Sequence, residues 1–328
     1  MTRRGDGVRT TNLVVAISLM VALAGGGAAA ATFRTATPAE AVTIVTADDT
    51  YTRGLTPADL SIRLHLPAGG DVPALKAQYA GAIQPWSDAE TSRLTAFVER
   101  HSDKLDALAA WLPADVLFIK ASDAIDGGLP HTRANAIVFG PALPDSDPAL
   151  EFLIFHELFH VLSRHQSGAV RTELYGMIGF ERCARTNIPE ALRDRVVSNP
   201  DVEDPEFTVA VEGRAGAMNL MPLLTAEPSR YDAARPSFPS YFQLVFLNMR
   251  RNARGACSLD ARRGHTPVFA PDAVVDALLE KVGHNTTYLF HAEETLADNF
   301  AYLQQGRADL PDMWVIERLR ARLARGPE

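Results

Sequence analysis

The sequence predicts an α+β fold, mostly helical with a small mixed sheet. Three observations carry that expectation: a capped amphipathic helix near residue 90, two compact apolar runs behind it, and a long capped helix after Pro148. Ser87-Asp88-Ala89-Glu90 has the form of a capping box, with Ser87 capping the helix and Glu90 reaching back from its third position. Leu94, Phe97, Val98, Leu105 and Leu108 then recur on one helical face, so a helix is expected to run to about Trp111. Val116 to Ile119, after Pro113, reads as a strand; so does Ala134 to Phe139, closed by Gly140-Pro141. Val42 to Val45 reads as a further short strand.

Asp147-Pro148 supplies an N-cap and a proline at the first helical position, opening a helix over 148–165. Residues 167–290 give mixed signals, with prolines at 189, 200, 205, 222, 228, 236 and 239 between short apolar stretches. A last helical block starts near His291, spans 291–305, breaks at Gly306 and resumes from Pro311 to about Arg325. There is no internal repeat, and one domain over 42–328 is the economical division.

With 328 residues, 47% of them hydrophobic, the chain can bury one large core or two modest ones. Arg3, Arg4, Arg9 and Asp6 give the first 31 residues a net charge of +2, leaving about −10 on the rest of a chain whose total is −8. An acidic body without basic runs offers no footing for a phosphate backbone, which argues against nucleic acid as a partner. The N-terminal arginines, the apolar stretch Leu13 to Ala24 and the small residues Gly25 to Ala31 have the order of an export signal. Residues 1–31 are therefore expected to be removed after Ala31, with 32–41 as a linker, and the mature protein to be periplasmic or extracellular. The rival reading is an uncleaved membrane anchor over 13–31. The two cysteines, Cys183 and Cys257, exclude a cysteine-based metal cluster and are expected to form one disulfide in an exported protein.

The helix over 148–165 contains Phe155-His156-Glu157-Leu158-Phe159-His160, a His-Glu-x-x-His motif. On a helix, residues four apart have Cβ atoms about 5–6 Å apart. Their imidazoles can then converge on one ion at about 2.0–2.1 Å. On a strand the same spacing would part them by about 13 Å. Phe152, Phe155, Phe159 and Leu162 bury the helix, and Glu157 lies beside the first ligand as a candidate general base. Two core histidines donating to carbonyls would be the plain structural alternative.

A catalytic zinc site keeps three protein ligands and an open position. His165, nine residues past His156, is half a turn out of phase, and no glycine-plus-histidine pattern follows His160. The stretch His291-Ala292-Glu293-Glu294-Thr295-Leu296-Ala297-Asp298 offers instead Glu294, with Asp298 four residues on. Glu293 and Glu294 point about 100° apart on a helix, and Glu294 has the better-spaced aspartate, so Glu293 is expected to face solvent or the helix N-terminus.

At these residues the chain resembles the gluzincin metallopeptidases, the thermolysin-like class, in which His-Glu-x-x-His is completed by Glu-x-x-x-Asp. The resemblance covers 148–165 and 288–302. It implies a zincin-like catalytic domain and one zinc ion on His156, His160 and Glu294. It further implies Glu157 as base, Asp298 behind the ligands, a peptide or protein substrate, and Ala134 to Phe139 as the edge strand that pairs with a bound peptide. Tyr288 and His291, then His131 and Arg133, are the candidates to stabilise an oxyanion. A zinc-binding protein that has lost catalysis would be expected to lose the base, which Glu157 preserves; a zinc amidase acting on a non-peptide amide is the other alternative. The Asn285-Thr286-Thr287 sequon reads as a turn, and the pairs Arg250-Arg251 and Arg262-Arg263 as solvated surface.

Overall fold

The computed structural model describes residues 30–213 and 216–327, so the expected export signal lies almost wholly outside the described residues. Among those residues no helix is long and apolar enough to cross a membrane.

Helices and mixed sheets coexist, and the α+β class holds, but there are two sheets, the second curling into a half-barrel, in place of one small sheet. The first sheet has five strands. Asp115–Ala121 lies at its centre, flanked in parallel by Thr32–Thr35 and Ala136–Phe139. Ile83–Gln84 pairs antiparallel with the far end of the central strand. His131–Arg133 pairs antiparallel with Ala136–Phe139 and forms the outer edge.

Two expectations fail at the start of this sheet. The segment read as a linker contributes the strand Thr32–Thr35, held by Thr32 N–H donating to the Ala114 carbonyl at 2.8 Å. Val42 to Val45, read as a strand, closes the helix Pro38–Val45, which Thr37 and Glu40 open with a full capping box and a proline in the first turn. That local signal outweighs the β-propensity of a four-residue apolar run. The helix Asp88–Arg100 does carry its expected capping box on Ser87 and Glu90.

The second sheet has seven strands built from the segment that gave mixed signals. Its spine is the meander Phe207–Gly213, Gly216–Ala226 and Phe242–Arg251. Phe180–Arg182 adds to one side; Ala256–Leu259 and Arg185–Asn187 add to the other, the last pair parallel, and Val268–Phe269 pairs antiparallel with Phe242–Arg251. Six of the seven prolines from Pro189 to Pro239 lie outside its strands, and the seventh, Pro222, lies inside Gly216–Ala226 opposite Phe246. Pro222 lies past Leu220, the last residue of its strand paired to Phe207–Gly213. Cys183 and Cys257 are bonded, Cα atoms 5.7 Å apart, joining the two sides of this sheet within a buried apolar cluster.

Between the sheets run two long helices, Asp147–His165 and Ala292–Gln304, packed side by side through Phe155, Phe159, Leu296, Ala297 and Phe300. The Phe159 and Phe300 rings are 5.6 Å apart. The first helix is capped by Ser146, one residue before the expected Asp147, with Pro148 in the first turn.

Candidate metal centre

His156 and His160 lie on the buried face of Asp147–His165, and their ring centroids are 4.9 Å apart, as the helical spacing requires. Each ring is held from behind by a carboxylate of the neighbouring helix. His156 Nδ1–H donates to Asp298 Oδ1 at 2.9 Å. His160 Nδ1–H donates to Glu293 Oε1 at 2.9 Å. A carboxylate can only accept here, so Nδ1 carries a proton on both rings and Nε2 is the nitrogen left to face a metal ion. The two Nε2 atoms converge on Glu294 Oε2, at 3.3 Å from His156 Nε2 and 3.5 Å from His160 Nε2.

That geometry suits a metal ion. Donors held tetrahedrally at about 2.0–2.1 Å from one zinc lie about 3.3–3.4 Å from one another. His160 Nε2 and Glu294 Oε2 are both buried and have no hydrogen-bond partner among the described residues. Buried polar atoms are ordinarily satisfied, so an orphaned pair aimed at one point marks a place for a cation. His156, His160 and Glu294 are thus a group able to hold a metal ion.

The electrostatics agree. Burial disfavours an imidazolium at His156, but Asp298 and Glu294 outweigh it and lift the ring to about 10. His160 is likewise raised well above its ordinary value, against burial, by Asp201, Glu294 and Glu293. Burial also opposes charge on Glu294, yet the two histidines hold it below the usual carboxylate range. The carboxylates thus favour a cation at this point, a proton on each Nε2 when no metal is bound and a metal ion in its place when one is.

Glu293 departs from expectation. It does not face solvent: it is 1% exposed and accepts from His160, from Ser163 Oγ at 2.8 Å and from Tyr175. The reason is that two ligand histidines need two acceptors, and Asp298 reaches only one of them. Glu293 and Glu294 stand in the first turn of Ala292–Gln304, where the helix dipole favours negative charge.

Glu157 is buried beside the triad. Its Oε2 accepts from Thr132 Oγ1 at 3.0 Å. Burial, then the nearby Asp201 carboxylate, raise Glu157 to about 8. Asp201 is raised too, first by its own burial. It is a residue the sequence reading missed: its Oδ1 accepts the Thr132 backbone N–H at 2.6 Å, and it can form a second metal-binding group with Glu157 and His160. Asn199, in the same segment, donates to Glu294 Oε1. Nothing local marks either residue, since both sit in an irregular stretch around Pro200.

Thr286 was also missed. It donates to Asp298 Oδ2, while Asn285 Nδ2 is committed to Asn299 Oδ1 at 2.8 Å and the Asp312 carbonyl at 2.9 Å. The sequon therefore buttresses the metal centre and its asparagine is buried.

A cleft of about 340 Å³ opens onto His156, Glu157, Asp201 and Asp298. Its walls are apolar, with Leu129, Phe152, Val197, Leu224, Phe238 and Phe290. Of the four oxyanion candidates, Tyr288 and His131 line this cleft. His291 does not; its Nδ1 accepts the Glu293 N–H and caps the helix. Nor does Arg133, whose Nε donates to Asp49 at 3.0 Å while its guanidinium covers the Tyr51 ring. Glu294 and then burial push the Tyr288 phenol upward, so it remains a hydrogen-bond donor.

The edge-strand expectation is overturned. Ala136–Phe139 is paired on both sides. The true edge, His131–Arg133, has Thr132 N–H bound to Asp201 and Thr132 C=O bound to Arg164 Nη1 at 3.0 Å. The groups that would pair with an added strand there are already taken.

The chain matches no protein-family model, no curated protein and no solved structure.

Proposed function

We propose that this chain is a zinc-dependent peptidase of gluzincin type, acting on peptide or protein substrates. The observation that supports this best is the set of two imidazoles with Nδ1 occupied and Nε2 free, meeting an orphaned Glu294 oxygen beside a buried Glu157. A zinc ion held by His156, His160 and Glu294 would supply Lewis acidity at an open fourth position.

The remaining roles belong to the chain. Glu157 accepts a proton from the attacking water and returns it to the leaving amine. Thr132 fixes one Glu157 oxygen and leaves the other toward the cleft. A raised carboxyl of this kind suits a group that must hold a proton part of the time. Tyr288, 37% exposed at the mouth beside His156, is the donor best placed for the oxyanion. Apolar walls keep water from the scissile bond and strengthen these polar contacts. The N-terminal export signal makes the periplasm or the extracellular space the place of action in this reading, which N-terminal sequencing of exported protein checks.

The deciding experiment combines metal analysis of purified protein with a peptide-library digest. One zinc per chain and amide cleavage abolished by Glu157→Gln are expected. Zinc without cleavage of any peptide would leave a binding protein and sink the proposal.

A further inference from the structure

Resting on the peptidase reading, we infer that Asp201 and His131 form a subsite for the free α-amino group of the substrate, so that the enzyme is an aminopeptidase.

The first observation is charge. Glu294, Glu157, Glu293 and Asp298 already place more acidic side chains around the two histidines than a divalent ion would balance. Asp201 is a further acidic side chain in the same wall, 8% exposed. Its Oδ1 is committed to Thr132 N–H, while among the described residues no donor bonds its other oxygen. Burying a lone carboxylate is costly unless a cation joins it.

The second observation is an unpartnered acceptor. His131 is 2% exposed and lines the cleft; its Nδ1–H donates to the Leu129 carbonyl at 3.0 Å, so in the neutral ring Nε2 keeps its lone pair. That nitrogen is buried without a hydrogen-bond partner among the described residues, where its nearest carboxylate, Asp126, stands 3.9 Å away. His131 adjoins Thr132, which Asp201 holds, and both acidic and imidazole acceptors line the same cleft. A primary ammonium, with three N–H donors and one positive charge, satisfies both.

The third observation is topological. An endopeptidase of this architecture would lay an extended chain along His131–Arg133, but Asp201 and Arg164 already cap that edge. Asp201 thus removes the groove for residues preceding the scissile bond and supplies a charge where such a chain would have to begin. The apolar walls then receive the first side chain, favouring leucine, methionine or phenylalanine. Each turnover consumes one water and releases one amino acid and a peptide shorter by one residue.

The test pairs leucine p-nitroanilide with N-acetyl-leucine p-nitroanilide on the zinc-loaded protein. The free amine should react at least about 30-fold faster in kcat/KM. Asp201→Asn keeps an acceptor for Thr132 N–H but loses the charge, and should raise KM for the free amine roughly 10- to 100-fold, as for loss of a charged hydrogen bond. It should leave the zinc content at one per chain. On metal-free protein, calorimetry should show leucyl-phenylalanine amide binding to the native chain, its N-acetyl form failing to bind, and Asp201→Asn binding neither. Equal handling of acetylated and free substrates would overturn the amine subsite while sparing the peptidase reading. Loss of zinc in Asp201→Asn, or two zinc ions per native chain, would make Asp201 a metal ligand and also overturn it. Failure to cleave or bind either form would overturn the amine subsite, and would remove the parent reading as well only if the peptide-library digest also showed no cleavage.

Discussion

The two walls of the candidate centre are built differently. One is a pair of helices, Asp147–His165 and Ala292–Gln304, that carry the three residues able to hold a metal ion and the carboxylates behind them. The other is the irregular segment around Ser198 to Asp201, which touches Glu294 through Asn199 and reaches Thr132 and the cleft through Asp201. The helix wall holds itself, because ridge packing and backbone bonding fix every side chain. The loop wall is held from outside: Arg63 Nη2 donates to the Ser198 carbonyl at 2.6 Å, and Asp59 Oδ2 accepts from Ser198 Oγ at 2.7 Å. Thr56 Oγ1 adds a bond to the Val196 carbonyl at 2.7 Å. Metal binding should therefore depend on the helix pair, and what the cleft accepts on the N-terminal clamp.

The largest effects should fall on the helix wall. Glu294→Ala removes one of three ligands, and zinc at micromolar concentration should no longer bind; a full zinc complement by atomic absorption would refute the ligand set. Glu157→Gln spares the ligands and takes away the proton carrier, so zinc should stay near one per chain while kcat falls roughly 10²- to 10⁴-fold. Retention of more than a few per cent of activity would show that another group does the work.

The same contrast explains what could be read from the sequence. His156, Glu157 and His160 were legible because a four-residue spacing on a helix is a local geometric fact, and Glu294 with Asp298 because the second helix repeats that spacing. Glu293 was misplaced by asking which glutamate had an aspartate partner on its own helix, when the second imidazole also needed an acceptor. Counting one acceptor per ligand histidine would have found it. Asn199 and Asp201 were not legible: they lie about 40 residues beyond the motif, without periodicity, and are positioned by Asp59 and Arg63, some 140 residues upstream. The strand Thr32–Thr35 was lost for a related reason, since its partner, Asp115–Ala121, is remote in sequence.

The clamp can be tested next. Arg63 is buried between Asp59, 3.2 Å from its Nε, and Asp126, with the Phe238 ring 4.6 Å away. Arg63→Met would leave two buried carboxylates without their cation and should cost about 3–5 kcal/mol of stability. Zinc should still bind, because no ligand moves, whereas kcat/KM should fall as Asn199 and Asp201 lose their anchor. The pH dependence follows the sign of the Asp126 shift. Burial opposes its charge, but Arg63 outweighs burial and holds Asp126 below its ordinary 3.8. A depressed carboxyl contributes stability that is present above its unfolded pKa and is lost as pH falls through the folded one. The native chain should therefore lose this contribution only below about pH 4, and Asp126→Asn should flatten that acid limb in urea titrations. A Glu157→Gln-like loss of activity with unchanged stability in Arg63→Met would contradict the division of labour.

The finest comparison lies within the helix wall, between the two carboxylates behind the histidines. Glu293 is enclosed by three donors, His160, Ser163 and Tyr175, and burial and Glu293 push the Tyr175 phenol upward so that it stays a donor. Asp298 has His156 and Thr286 and lies at the edge of the cleft, 8% exposed. Replacing either by its amide keeps an acceptor for the Nδ1–H but removes the charge that makes the imidazole a better ligand, and each should weaken zinc affinity by about 10- to 100-fold. The two should not be equal. Water can reach Asp298 and compensate part of the loss, whereas a Glu293→Gln amide nitrogen would face the Ser163 and Tyr175 hydroxyls, which must then turn or go unsatisfied. Glu293→Gln should therefore sit at the upper end of that range and Asp298→Asn at the lower, measured by competition with a zinc chelator. Equal losses would mean that charge alone matters, and a larger loss in Asp298→Asn would show that the buried network behind His160 adds nothing to its hold on the metal.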